Sequence, residues 1–164
     1  ELRQEVSTDA ARFFYVMRSN DQHLDFDLEL AKSRSNDNPV YYIQYAHARV
    51  CALFRQLKEK NLSYNDSAAL AARKLLTTSY EDDLLGELMR YPEIIEAAAL
   101  HRGPQILANY LRELAAAFHS FYNSENILNA EEELRHARLG LCTATQQVLV
   151  NGLNLLGVTA PETM

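Results

Sequence analysis

Tryptophan is absent from this sequence, and it holds only five glycines, four prolines and two cysteines. So little glycine and proline argues against a turn-rich β architecture and for long helices. The cysteines, Cys51 and Cys142, stand far apart without metal-type spacing. They predict buried thiols in a reducing compartment, the cytoplasm. No apolar run approaches the roughly 20 residues of a membrane span, and no basic-then-apolar leader opens the chain, so no membrane association or secretion is expected. Basic residues are in the minority: 16 Lys and Arg against 22 Asp and Glu leave a net charge of −6. A nucleic-acid binder held by electrostatics alone would be basic, so an RNA role would need a local patch and stacking.

Catalytic signatures are missing as well. No G-x-x-x-x-G-K-[ST], G-x-G-x-x-G or H-E-x-x-H occurs, and no serine or cysteine nucleophile motif. Glu133 and His136 form a single E-x-x-H, whereas a di-iron bundle needs that motif twice plus two further inward carboxylates. Glu131, Glu132 and Glu133 instead suit a first helical turn, where the dipole favours negative charge. His47, at one margin of a core stripe, and the scattered His101, His119 and His136 read as structural. No catalytic residue, metal or cofactor site is expected in this chain.

What is present is the composition of one globular domain: 164 residues, 48% hydrophobic and 23% charged. Apolar spacing predicts an all-α helical bundle. A short helix capped by Thr8-Asp9 carries Ala10, Phe13, Phe14 and Met17, a loop follows at Ser19-Asn20-Asp21, and a short segment covers Phe26 to Lys32. Asn38 caps a helix opened by Pro39 and running to about Lys60. Another spans Ser67 to Leu76. Ser79 with Asp82 resembles a capping box for a helix from Tyr80 to Arg90 that kinks or restarts at Pro92 and ends near Leu100. Pro104 opens a helix to about Tyr122, and a last one runs from about Ala130 to Leu156, stopped by Gly157. In that helix Leu134, Leu141, Val148 and Leu155 recur every seven residues, with Leu139, Val150 and Leu153 widening the apolar face.

The stretch 35–49, SNDNPVYYIQYAHAR, is the least ordinary part. On a 3.6-residue period Ile43, Ala46, Val50, Leu53, Phe54 and Leu57 already make a sufficient core stripe. Tyr41 and Tyr45 fall on the opposite side, Tyr42 at the stripe's edge, and Arg49 beside Tyr45. Tyr42, Tyr45 and Arg49 follow i, i+3, i+7 spacing and line one strip of surface. Arg55, Lys58 and Lys60 make the helix locally basic. The strip fits two roles: packing against a neighbouring helix, or a platform for unpaired bases with Arg49 for a phosphate or base plane. Geometry alone leaves both open.

This block, with Asp9-Ala10-Ala11-Arg12-Phe13-Phe14, Leu24-Asp25-Phe26-Asp27, Phe118-His119-Ser120-Phe121-Tyr122-Asn123, Arg138-Leu139, Val148-Leu149, Gly152-Leu153, Leu155-Leu156-Gly157-Val158 and the closing Ala160-Pro161-Glu162-Thr163-Met164, resembles the C-terminal part of arginyl-tRNA synthetases. These are class I aminoacyl-tRNA synthetases. The family's H-I-G-H-like and K-M-S-K-S-like motifs are absent here. The resemblance therefore implies a piece that is inactive alone: residues 1–34 as the connection leaving the catalytic domain, contacting the tRNA stem, and 35–164 as the helical anticodon-binding bundle. His136-Ala137-Arg138-Leu139 occupies the region of the D-A-L-R motif that names this domain. The implied partners are an arginine tRNA, gripped at its anticodon stem-loop, and the parent catalytic domain, where ATP with Mg would act in protein biosynthesis. The implied tRNA contacts are Tyr42, Tyr45, Arg49, Tyr122, Asn126 and Met164, with Tyr41 unassigned, and a monomer is expected. The alternative is a helical protein–protein module, diverged from a synthetase and without RNA binding.

Overall fold

The computed structural model describes residues 6–18 and 26–164. The predicted loop at Ser19-Asn20-Asp21, and Leu24-Asp25, lie outside them. Seven α-helices and one 3-10 turn make up the described residues, with no strand. They are α1 (Thr8–Val16), α2 (Leu28–Lys32), α3 (Pro39–Glu59), α4 (Asp66–Ala71) followed by the 3-10 turn Ala72–Leu75, α5 (Ser79–Leu100), α6 (Pro104–Ser124) and α7 (Glu132–Leu155). Among the described residues no helix is long and apolar enough to cross a membrane.

Helix α6 is the hub, packing on α1, α3, α5 and α7, while α4 and the 3-10 turn lean on α7. Its Leu111, Leu114, Phe118 and Phe121 are fully buried with Phe13, Ile43, Leu84, Leu139, Leu149 and Leu153 from the helices around it. Tyr110 is as deeply buried, and its hydroxyl donates to the Glu87 carbonyl at 2.8 Å, so that group is satisfied in the core. Gly152 allows α7 to press on α6: a Cβ there would lie 2.6 Å from Cδ2 of the buried Leu111. Gly152→Ala is therefore expected to destabilise the chain by about 1–3 kcal/mol, read from its denaturant midpoint.

Helix ends follow the sequence reading with shifts that have physical causes. Ser7, not Thr8, caps α1, accepting from the Ala10 amide at 3.1 Å. Asn38 occupies the N-cap of α3 without a side-chain capping bond, and Pro39 opens the helix. Its side-chain amide instead donates to the carbonyls of Ala31 and Ser33, tying α2 to α3. The capping box of α5 is Thr78 with Glu81, one residue before the expected Ser79 and Asp82, and so uses the longer acid that the motif prefers. Pro92 does not interrupt α5. It lies on the exposed side of the helix.

The seven-residue reading of α7 needs correcting. Leu155 is 65% exposed and Val148 only half-buried. The expected Leu139, Leu141 and Leu153 are buried, but with them go His136, Ala137, Arg138, Cys142, Thr145, Leu149 and Gly152, a broad 3.6-residue stripe that includes polar residues a hydrophobic count passes over.

Candidate nucleic-acid interface

Helix α3 divides as its periodicity implies. Ile43, Ala46, Val50, Leu53 and Leu57 are buried, with Phe54 half-buried at the edge of Tyr64. Tyr41, Tyr42, Tyr45 and Arg49 are half-buried on the flank facing α6 and the chain's end.

These side chains form one organised group. The Tyr41 and Tyr45 rings stack with centroids 6.1 Å apart at 18°. From α6, His119 lies 4.5 Å from the Tyr42 ring and 5.6 Å from that of Tyr45. The Arg49 guanidinium carbon stands 4.8 Å from the Tyr45 centroid and 4.6 Å from that of Tyr122. One Arg49 nitrogen donates to His119 Nδ1 at 3.2 Å and to Asn123 Oδ1 at 3.0 Å. Since arginine only donates, His119 Nδ1 must accept, and the ring proton sits on Nε2, which donates to the Tyr42 carbonyl at 3.2 Å. Burial lowers the His119 pKa, the Tyr42 carbonyl opposes that, and the charge of Arg49 lowers it further, so His119 is a neutral spacer near pH 7. Burial in turn raises the Tyr42 phenol above its ordinary value, with Arg49 opposing.

Arg49 is thus already engaged. Its plane rests on two tyrosines and one nitrogen is committed, so it offers its remaining edge rather than an open face. A groove of about 350 Å³ opens beside it, lined by Tyr45, Ala48, Arg49, Ala52, Arg55, Tyr122, Thr163 and Met164. Four residues implied by the family resemblance therefore meet there: Tyr45, Arg49, Tyr122 and Met164. Tyr42 joins them through His119 and leans on the core. Asn126 does not line the groove. It lies exposed in the loop after α6, where its side chain accepts from the Asn129 amide at 3.3 Å and its carbonyl from Arg138 at 3.0 Å. Tyr41 lines a second groove, of about 410 Å³, whose wall also includes Arg34, Asn38 and Met164.

Sequence reasoning missed His119 and Asn123 as organisers of Arg49, and Arg55 and Thr163 as wall residues. A signal was available. His119, Tyr122 and Asn123 stand at i, i+3 and i+4 and share one face of α6. Among the described residues no group of three or more His, Cys, Asp or Glu could hold a metal ion. Glu132 is the carboxylate that approaches His136, at 3.8 Å.

A DALR anticodon binding domain family model matches residues 43–164. An arginine–tRNA ligase of Coxiella burnetii is 58% identical over all 164 residues, which cover 28% of that protein. One from Halorhodospira halophila is 60% identical over the same span, again 28% of its length. Among solved structures, Thermus thermophilus arginyl-tRNA synthetase superposes with a TM-score of 0.81 at 34% identity, over 98% of this chain and 27% of that one. The chain thus spans little more than a quarter of the curated relatives it matches, and its helical bundle corresponds to one part of them. By the match over residues 43–164, this chain belongs to the DALR anticodon-binding domain family.

Proposed function

We propose that this chain is the anticodon-binding part of an arginine–tRNA ligase and grips the anticodon stem-loop of an arginine tRNA. The observation that carries this reading is the groove where Tyr45, Arg49, Tyr122 and Met164 converge. Partly exposed rings beside a fixed guanidinium suit unstacked bases, whose flat faces find aromatic partners worth about 1–3 kcal/mol each. Such a surface needs no net positive charge, which reconciles an RNA role with the charge of −6. Tyr42 and Asn126 would extend the contact along the loop. Residues 1–34 would continue toward the stem and toward a catalytic domain, where ATP and Mg would act. The chain by itself would work as a monomeric binding module in the cytoplasm, without aminoacylation chemistry.

Titrating a labelled arginine anticodon stem-loop against the 164-residue chain tests this. Salt-dependent binding is expected, at least about tenfold tighter than to a stem-loop of scrambled loop sequence. Equal binding of both loops would favour the protein–protein module instead.

A further inference from the structure

A second stripe on α3 has no part in the groove's lining beyond Arg55. Gln44, His47, Cys51 and Arg55 follow i, i+3, i+7, i+11, one face of the helix. Gln44 and His47 are polar yet only 9% and 4% exposed, and what covers them is the stretch 158–164. Gly157, at φ 68°, turns the chain back from α7, the Val158 amide donates to Leu153, and Val158 is buried. The chain then advances along α3. Gln44 Nε2 donates to the Thr159 carbonyl and to Asp9 Oδ2, each at 2.9 Å. The Thr159 hydroxyl donates to the same Asp9 oxygen. His47 Nδ1 lies 2.9 Å from the Pro161 carbonyl, which can only accept, so His47 carries its proton there. Arg55 reaches the Glu162 carbonyl at 3.3 Å. Three carbonyls of an irregular segment are thereby satisfied by side chains of one helix, and the segment ends with Thr163 and Met164 in the groove wall.

We propose that Gln44 and His47 are positioning residues. They hold residues 159–162 in a fixed course, so that Thr163 and Met164 complete the RNA groove, and they act on RNA affinity only through that segment. This rests on the function proposed above. It also accounts for the alternation along α3: Tyr45 and Arg49 line the groove, while Gln44 and His47 hold its far wall.

The test is a double-mutant cycle on the 164-residue chain. His47→Leu removes the donor to Pro161, His47→Asn retains an N–H near the same point, and each is made with and without residues 163–164. His47→Leu is expected to weaken stem-loop binding about tenfold in the full chain, less than about twofold once residues 163–164 are gone, with His47→Asn recovering most of the loss. Carboxypeptidase should remove Met164 about tenfold faster from His47→Leu than from the wild type, a change that general destabilisation without release of the segment would not produce. An equal loss of affinity in the shortened chain, or an unchanged trimming rate, would overturn the proposal. If His47→Leu does not fold, Gln44→Met carries the same comparison. A wild-type chain that binds scrambled and arginine loops alike would sink the anticodon reading instead, and the trimming rate would then decide the holding role alone.

Discussion

Arg138→Met is expected to cost about 3–5 kcal/mol of folding stability, the largest loss from any single substitution outside the apolar core. Arg138 is 7% exposed and spends its guanidinium on three partners, one on α5 and two in the loop after α6. Nε donates to Glu81 Oε1 at 2.7 Å, one terminal nitrogen to the Asn126 carbonyl at 3.0 Å, and the other to the Glu125 carboxylate. Glu81, at 1% exposure, has its other oxygen on the Thr77 and Thr78 amides at 2.7 and 2.9 Å. A methionine fills similar volume but leaves that carboxylate charged in a dry site, which is why loss of one partner costs more than the pair contributes. Burial alone would raise the Glu81 pKa; the Thr78 amide, Arg138 and the Thr77 amide outweigh it, and the net shift is downward. A depressed carboxylate pKa gives stability that is present above the unfolded value of 4.5 and lost as pH falls through the folded one. The deficit of Arg138→Met, measured by urea unfolding, should thus be full at pH 7 and shrink as the buried acid is protonated below about pH 4.5. A deficit independent of pH would show that lost packing, not stranded charge, dominates.

Tyr45→Ala is expected to weaken binding of the arginine anticodon stem-loop by at least about tenfold while changing stability by less than about 1 kcal/mol. The Tyr45 ring contacts the half-buried Tyr41 and Arg49 and the buried His119, none of them among the fully buried side chains of the apolar core. Its removal takes away a stacking face and also frees Arg49 on one side. Tyr45→Phe keeps the ring and should retain most of the affinity. Collapse of the fold in Tyr45→Ala would make the tyrosine a packing residue and remove the basis of the platform. Truncating Phe118 nearby is the contrasting control, since a fully buried ring costs about 3–5 kcal/mol.

What the sequence made legible was local. The stripe Ile43, Ala46, Val50, Leu53, Leu57 could be read because a helix of fixed period presents those residues on one side whatever surrounds it, and Pro39, Pro104 and Gly157 mark boundaries by backbone chemistry alone. The errors came where tertiary partners choose. The heptad through Leu155 looked like a core seam, yet α7 turns Arg138 inward because Glu81 satisfies it, and Thr145 lies inward with its hydroxyl bonded back to the Leu141 carbonyl of the same helix. No count of apolar residues anticipates that. The tyrosines could be set off the core, but their ordering by His119 and Asn123 depends on contacts 70 or more residues apart. Gln44 and His47 gave no sign of the carbonyls they hold, which lie over 110 residues further on. Met164 came to the groove from family resemblance and not from periodicity, and the fold supplies the reason: a segment turned back at Gly157 and held along α3.

The most direct measurement is the stem-loop titration followed by NMR, with the tyrosine ring signals assigned. Shifts confined to Tyr42, Tyr45 and Tyr122, with the Met164 methyl moving in step and a scrambled loop leaving all four unchanged, are the result predicted. Shifts centred instead on Tyr80, Tyr91 or Tyr110, or identical for both loops, would contradict an anticodon platform built on α3 and α6.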